Sequence, residues 1–259
     1  MSEHENNKQV TSKSTEQNKN IIRQMNLAQI IFYHFLPGIS ILLLSIVFAN
    51  PDWGFGLPIL LAIIIAASLS LTLVALLIIV LTAKRQKLRF KDMIPYRQKT
   101  PFKKLLLWVV ACFIVGVLVF GGLSSVEYAL WGDAFSFMPA WLRLDRYVTE
   151  DWDLGILRIT AFANLIVIGL VGPTMEEVYF RGFLLPRMET LGKAAPLINA
   201  TLFSVYHFFS PWELITRILA CAPFAYAVWY KKDLRISIAV HCSMNMIGGI
   251  TTLIAVFQM

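Results

Sequence analysis

Apolar runs long enough to cross a lipid bilayer constrain this chain more than any other feature. The hydrocarbon core of a bilayer is about 30 Å thick, and one helical crossing needs roughly 20 predominantly apolar residues. Runs on that scale extend over Leu27 to Phe48, Phe55 to Thr82, Leu105 to Leu123, Ile156 to about Leu170 and onward, Ala195 to Phe209, Trp212 to Tyr230, and Ile236 to Phe257. Of all residues 57% are hydrophobic and only 15% charged, and the charges crowd between the runs instead of spreading as they do in a soluble domain. The expected fold is all-α: a polytopic transmembrane helical bundle of about seven to eight membrane helices. Val126 to Tyr147, with Tyr128, Trp131, Phe135, Phe137 and Trp141, suits an interfacial helix or a short eighth element, and is read as interfacial.

Residues 1–26 are polar and lack apolar periodicity, which predicts a disordered tail ahead of a helical domain over 27–259. The first span is too long for a cleavable signal and is expected to be an uncleaved anchor. The net charge of +7 accompanies no nucleic-acid-binding motif, so no nucleic-acid partner is expected, and the basic residues sit beside the run ends. Lys84, Arg85, Lys87, Arg89, Lys91, Arg97, Lys99, Lys103 and Lys104 fill one loop, which the positive-inside rule puts in the cytoplasm together with the N-terminus. Against anionic membrane lipids each basic side chain there adds about 1 kcal/mol. Glu127, Asp133, Asp145, Glu150, Asp151 and Asp153 then fall outside, whereas Arg187, Lys193, Lys231, Lys232 and Arg235 fall inside. Cys112, Cys221 and Cys242 lie within apolar runs and read as small buried hydrophobes. The terminal Val-Phe-Gln-Met has no prenylatable cysteine.

An ionisable side chain near a span's centre costs at least ~2.5 kcal/mol, so each one calls for a partner or a purpose. Three groups stand out: Glu176, Glu177 and Arg181; His207; and His241 with Asn245. Gly172-Pro173 interrupts the fourth run just before the first group, as a kink or as the first turn of a resumed helix. Glu177 and Arg181 share a helix face in the acid-first order and can pair as a structural brace. Glu176 points about 100° away without that partner, which makes it the candidate general base. Interfacial charges are the plain alternative for this group, a hydrogen-bonded core histidine for His207, and helix bridging for His241 and Asn245.

Taken in order, Glu-Glu-x-x-x-Arg at 176 to 181, Phe-x-x-x-His at 203 to 207 and His-x-x-x-Asn at 241 to 245 resemble the signature of the CAAX protease and bacteriocin-processing family, which includes type II CAAX prenyl endopeptidases and abortive-infection-like proteins. The resemblance covers about 155–259. It implies that Glu176 and His207 activate a water for attack on a peptide carbonyl and that His241 and Asn245 stabilise the oxyanion. It also implies a peptide or lipid-modified protein substrate and a bacterial cell membrane. Donor chemistry agrees, since carboxylate and imidazole can share a water and both an amide NH₂ and an imidazole N–H can serve an oxyanion.

Two questions stay open at this level. Glu176, His207 and His241 have the ligand types for Zn²⁺, but the chain has no His-Glu-x-x-His, and metal-free hydrolysis by the same residues is the preferred reading. The alternatives to catalysis are a non-catalytic bacteriocin immunity or receptor protein and a membrane transporter; against the transporter stands the lack of an inverted repeat. Oligomeric state is not legible. One spatial conflict also remains: the drawn runs put His207 near the outer leaflet and Glu176 near the inner one, and the easiest resolution lets the fourth helix continue past Pro173.

Overall fold

The computed structural model describes residues 22–131, 134–143 and 152–259. Residues 1–21 of the polar tail, Asp133, Asp145, Glu150 and Asp151 of the acidic loop, and Tyr147 lie outside the described residues. All principal elements are helical: α1 (Leu27–Ala49), α2 (Ile59–Gln86), α3 (Phe102–Trp131), α4 (Leu154–Val205), α5 (Leu214–Lys231) and α6 (Arg235–Phe257). Five are long and apolar enough to cross a membrane, namely α1, α2, α3 up to Glu127, α4 and α6.

The structure therefore carries five such helices where seven to eight were expected, and the difference has two causes. The fourth and fifth apolar runs join as one 52-residue helical stretch, α4, whose backbone leaves helical geometry only at Met188 and Gly192. This break folds α4 into a long first limb, 154–184, and a short return limb, Ala195–Val205. The sixth run becomes α5, which carries Thr216 and Arg217 and buries them together with Ala220, Cys221 and Phe224. An inward-facing polar stripe lowers its hydropathy.

Contacts between distant segments place the charged turns at one end of the bundle. The extended segment 95–100 runs along the α5–α6 turn, with Gln98 N–H donating to the Lys232 carbonyl at 2.8 Å and Thr100 N–H to Asp233 Oδ2 at 2.8 Å. At the same end Met25 N–H donates to the Arg187 carbonyl at 3.0 Å and so ties the start of α1 to the α4 turn. Arg187, expected as a loop charge, is fully buried instead; it donates to the carbonyls of Phe183 and Met93 and lies 4.0 Å over the Phe183 ring. At the opposite end Glu127 is buried, and its two carboxylate oxygens accept from the N–H groups of Ile215 and Thr216, capping α5 from α3.

Several of these helices are locally irregular, and side chains from elsewhere complete them. Pro37 inside α1 cannot donate to the Tyr33 carbonyl one turn back, and the Tyr179 hydroxyl of α4 donates to it at 2.7 Å. In α4 the stretches Asn164–Val171 and Val178–Leu184 are wider than an α-helix, with i→i+5 bonding on either side of Gly172–Glu177. Such widening weakens the regular ladder and is frequent at functional sites. Asn245 donates to the Ile168 carbonyl at 3.0 Å and Asn199 to the Phe180 carbonyl at 3.1 Å, so polar side chains of α6 and the return limb serve both stretches.

Candidate active site

Folding α4 back on itself brings the end of the return limb to Glu176, and α6 lays His241 against Glu176 and Glu177, whereas the Asn245 hydrogen bond goes to the Ile168 carbonyl. Glu176 lies eight residues before the end of the first limb, about 12 Å along its axis at 1.5 Å per residue. The return limb runs antiparallel to it, as the Asn199–Phe180 bond shows, and ends at Val205, so Tyr206 and His207 arrive beside Glu176 instead of at the far end of the bundle. A first limb that continues past Pro173 to Leu184 and a short return limb remove the conflict between Glu176 and His207.

The two adjacent glutamates do different things. Glu177 and Arg181 are both fully buried, with Arg181 Nη1 3.1 Å from Glu177 Oε1. No guanidinium N–H lies along a hydrogen-bond axis, so the pairing is Coulombic, while Arg181 stacks 4.0 Å from the Phe203 ring centroid and 5.1 Å from that of Phe224. The remaining partner of Glu177 Oε1 is His241, whose Nδ1–H donates to it at 2.9 Å. Glu176 is 9% exposed: its Oε1 accepts from the Tyr206 hydroxyl, and its Oε2 lies 3.7 Å from His241 Nε2.

Hydrogen bonds also fix the orientation of the imidazoles. His207 Nδ1 faces the Phe203 carbonyl at 2.9 Å and, because a carbonyl only accepts, must donate, which leaves Nε2 with its lone pair when the ring is neutral. His241 likewise uses Nδ1–H on Glu177 and turns Nε2 to Glu176. Among the described residues no hydrogen bond or ion pair joins His207 to Glu176; the imidazole packs at 4.3 Å from the Tyr206 ring and 4.9 Å from the Phe203 ring. Asn245, one turn beyond His241 on α6, spends one amide N–H on Ile168 and keeps the other.

Sequence reasoning gave no role to several residues that build this site. Tyr206 was visible only as the residue before His207. His34, fully buried in α1, donates from Nδ1 to the Ile30 carbonyl and accepts at Nε2 from Asn199 at 3.0 Å, anchoring the return limb. Gly38 lets α1 approach Tyr206 so closely that a Cβ there would lie 2.1 Å from the Tyr206 carbonyl oxygen. Arg217 donates to Ser210 Oγ and to Glu213 Oε2, each at 3.0 Å, and so holds the loop that follows His207. Local spacing marks only Arg217, four residues after Glu213; Tyr206, His34 and Gly38 act on partners far away in sequence.

Glu176 and His241 approach each other closely, but among the described residues no three His, Cys, Asp or Glu side chains converge as a metal-holding group. Glu176, His207 and His241 as placed do not form a Zn²⁺ ligand set. A small apolar groove of about 50 Å³ lies between α2 and α4, lined by Leu71, Val171 and Met175 among others and too small for a lipid chain.

Residues 158–247 match the family described as Rce1-like, type II CAAX prenyl endopeptidase. The matched interval contains Glu176, Glu177, Arg181, His207, His241 and Asn245. No curated protein and no solved structure matches the chain.

Proposed function

We propose, from the match of residues 158–247 to the Rce1-like type II CAAX prenyl endopeptidase family, that the protein hydrolyses a peptide bond of a membrane-associated or prenylated protein, or of a small peptide, with a water activated by Glu176. The family description supports a protease acting on a peptide or protein, and lends no support to bacteriocin immunity or to a metal requirement. The observation that supports the reading is the division of labour between neighbouring carboxylates: Glu177 is consumed by Arg181 and His241, while Glu176 keeps Oε2 3.7 Å from His241 Nε2, beyond hydrogen-bond distance.

In this reading a water donates one O–H to Glu176 Oε2 and the other to the His207 Nε2 lone pair. Its oxygen attacks the peptide carbonyl carbon as Glu176 takes the proton. The oxyanion accepts from the free N–H of Asn245 and from His241, which in this role carries both ring protons. Collapse breaks the C–N bond, and the proton held by Glu176 passes to the leaving amine. The return limb and α5 join the five apolar helices as seven elements within the bilayer, with the basic end at the cytoplasmic face.

The test compares wild type with Glu176→Ala and His207→Ala, each purified in detergent and checked for folding, on a fluorogenic peptide panel that includes prenylated peptides, with and without chelator. Cleavage by wild type and loss in both folded variants is the expected result. Cleavage retained by folded Glu176→Ala would refute the reading, and chelator sensitivity would reopen the metal question.

A further inference from the structure

Tyr206 is fully buried, and its hydroxyl hydrogen bond goes to Glu176 Oε1. Many partners would satisfy a buried phenol; this one takes an oxygen of the candidate base. The bond at Oε1 holds the carboxylate from rotating about its last torsion and leaves Oε2, 3.7 Å from His241 Nε2, as the oxygen turned to the imidazole.

The hydroxyl itself is firmly placed. The Tyr206 ring is wedged 4.9 Å from the Phe180 ring, 5.4 Å from Phe203 and 4.3 Å from His207. Its backbone is fixed on both sides, with Tyr206 N–H donating to the Leu202 carbonyl at 3.0 Å and its own carbonyl accepting from Phe208 N–H at 2.9 Å. Gly38 of α1 seats against that carbonyl, where any side chain would collide. Tyr206 is also chain neighbour to His207. One residue therefore sets the spacing between the carboxylate of the first limb and the imidazole at the end of the return limb, two groups that make no direct bond with each other.

We propose that Tyr206 is a positioning residue for hydrolysis, holding Glu176 through Oε1 so that Oε2 and His207 Nε2 face the same water. This inference rests on Glu176 being the base. A misplacement of about 1 Å at a reacting group costs on the order of 100-fold in rate, and Tyr206→Phe removes the tether while keeping the ring.

The test measures kcat and KM on an internally quenched peptide, with and without a farnesylated cysteine, for wild type, Tyr206→Phe, Glu176→Gln and the double variant, alongside thermal unfolding midpoints in detergent. Tyr206→Phe should lose on the order of 10- to 100-fold in kcat with KM within about twofold and an unfolding midpoint close to wild type. The double variant should be no worse than Glu176→Gln alone. Wild-type kcat in Tyr206→Phe, a change confined to KM, or a loss that only accompanies unfolding would overturn the proposal while an inactive Glu176→Gln left the protease reading standing. An active Glu176→Gln, or no cleavage by wild type, would remove the base and this inference with it.

Discussion

Replacing Arg181 with methionine tests whether Glu177 and Arg181 are a brace. The substitution keeps an unbranched apolar stem and removes the guanidinium. Glu177 would then be a fully buried carboxylate left with the His241 Nδ1–H and the Ser237 side chain as neighbours. Removing one partner of a buried ion pair costs about 3–5 kcal/mol, because the other charge stays desolvated. Here the 3.1 Å approach lies off the hydrogen-bond axis, which favours the lower end, about 3 kcal/mol. Stacking over Phe203 at 4.0 Å, with Phe224 beyond, adds roughly 1–2 kcal/mol for a desolvated cation on an aromatic face. A loss of about 4–5 kcal/mol is expected in all. Adding Glu177→Gln removes the orphaned charge and retains an oxygen for His241, so the double variant should recover about 2–3 kcal/mol. Denaturant titration in detergent micelles of wild type, both single variants and the double closes this cycle. A loss under about 1 kcal/mol for Arg181→Met, or a double variant less stable than Arg181→Met, would refute the brace.

Gly38→Ala should destabilise by about 1–3 kcal/mol through overpacking and reduce peptide cleavage, since the new Cβ meets the Tyr206 backbone and cannot move without shifting Glu176's partner; unfolding midpoint and kcat measured together check this. Glu127→Ala should cost about 0.5–2 kcal/mol by uncapping α5, read as a lower unfolding midpoint. At the basic end, burial pushes the Asp233 carboxyl up, but the Arg235 guanidinium and Thr100 outweigh it and hold the group below its ordinary range. A carboxyl depressed in the folded state stabilises above its unfolded value of about 3.9 and loses that contribution as pH falls through the folded value. The unfolding midpoint should therefore drop on acidification below about pH 4, and less so in Asp233→Asn; equal pH profiles would count against it.

The sequence by itself determined that the chain carries helices long and apolar enough to cross a membrane, because long apolar runs suffice for that, and it nominated the candidate residues, because each motif lies within one turn or two of its own helix. The pairing of Glu177 with Arg181 was equally legible, since four residues on a helix place two side chains on one face. The number of separate helices long enough to cross was not. Hydropathy sees apolar length, whereas the break at Met188 and Gly192 and the inward turn of Thr216 and Arg217 depend on what packs against them. Only the tertiary structure decided that His241 bonds Glu177 rather than standing free, that Tyr206 holds Glu176, and that Arg187 is buried. The Tyr33, Ile168 and Phe180 carbonyls show the physical reason. A proline or a widened turn upsets the local ladder, and in an apolar surrounding the carbonyl must be met by whatever donor the fold delivers, here Tyr179, Asn245 and Asn199. Local spacing prescribes the need for a partner, and three-dimensional packing chooses it.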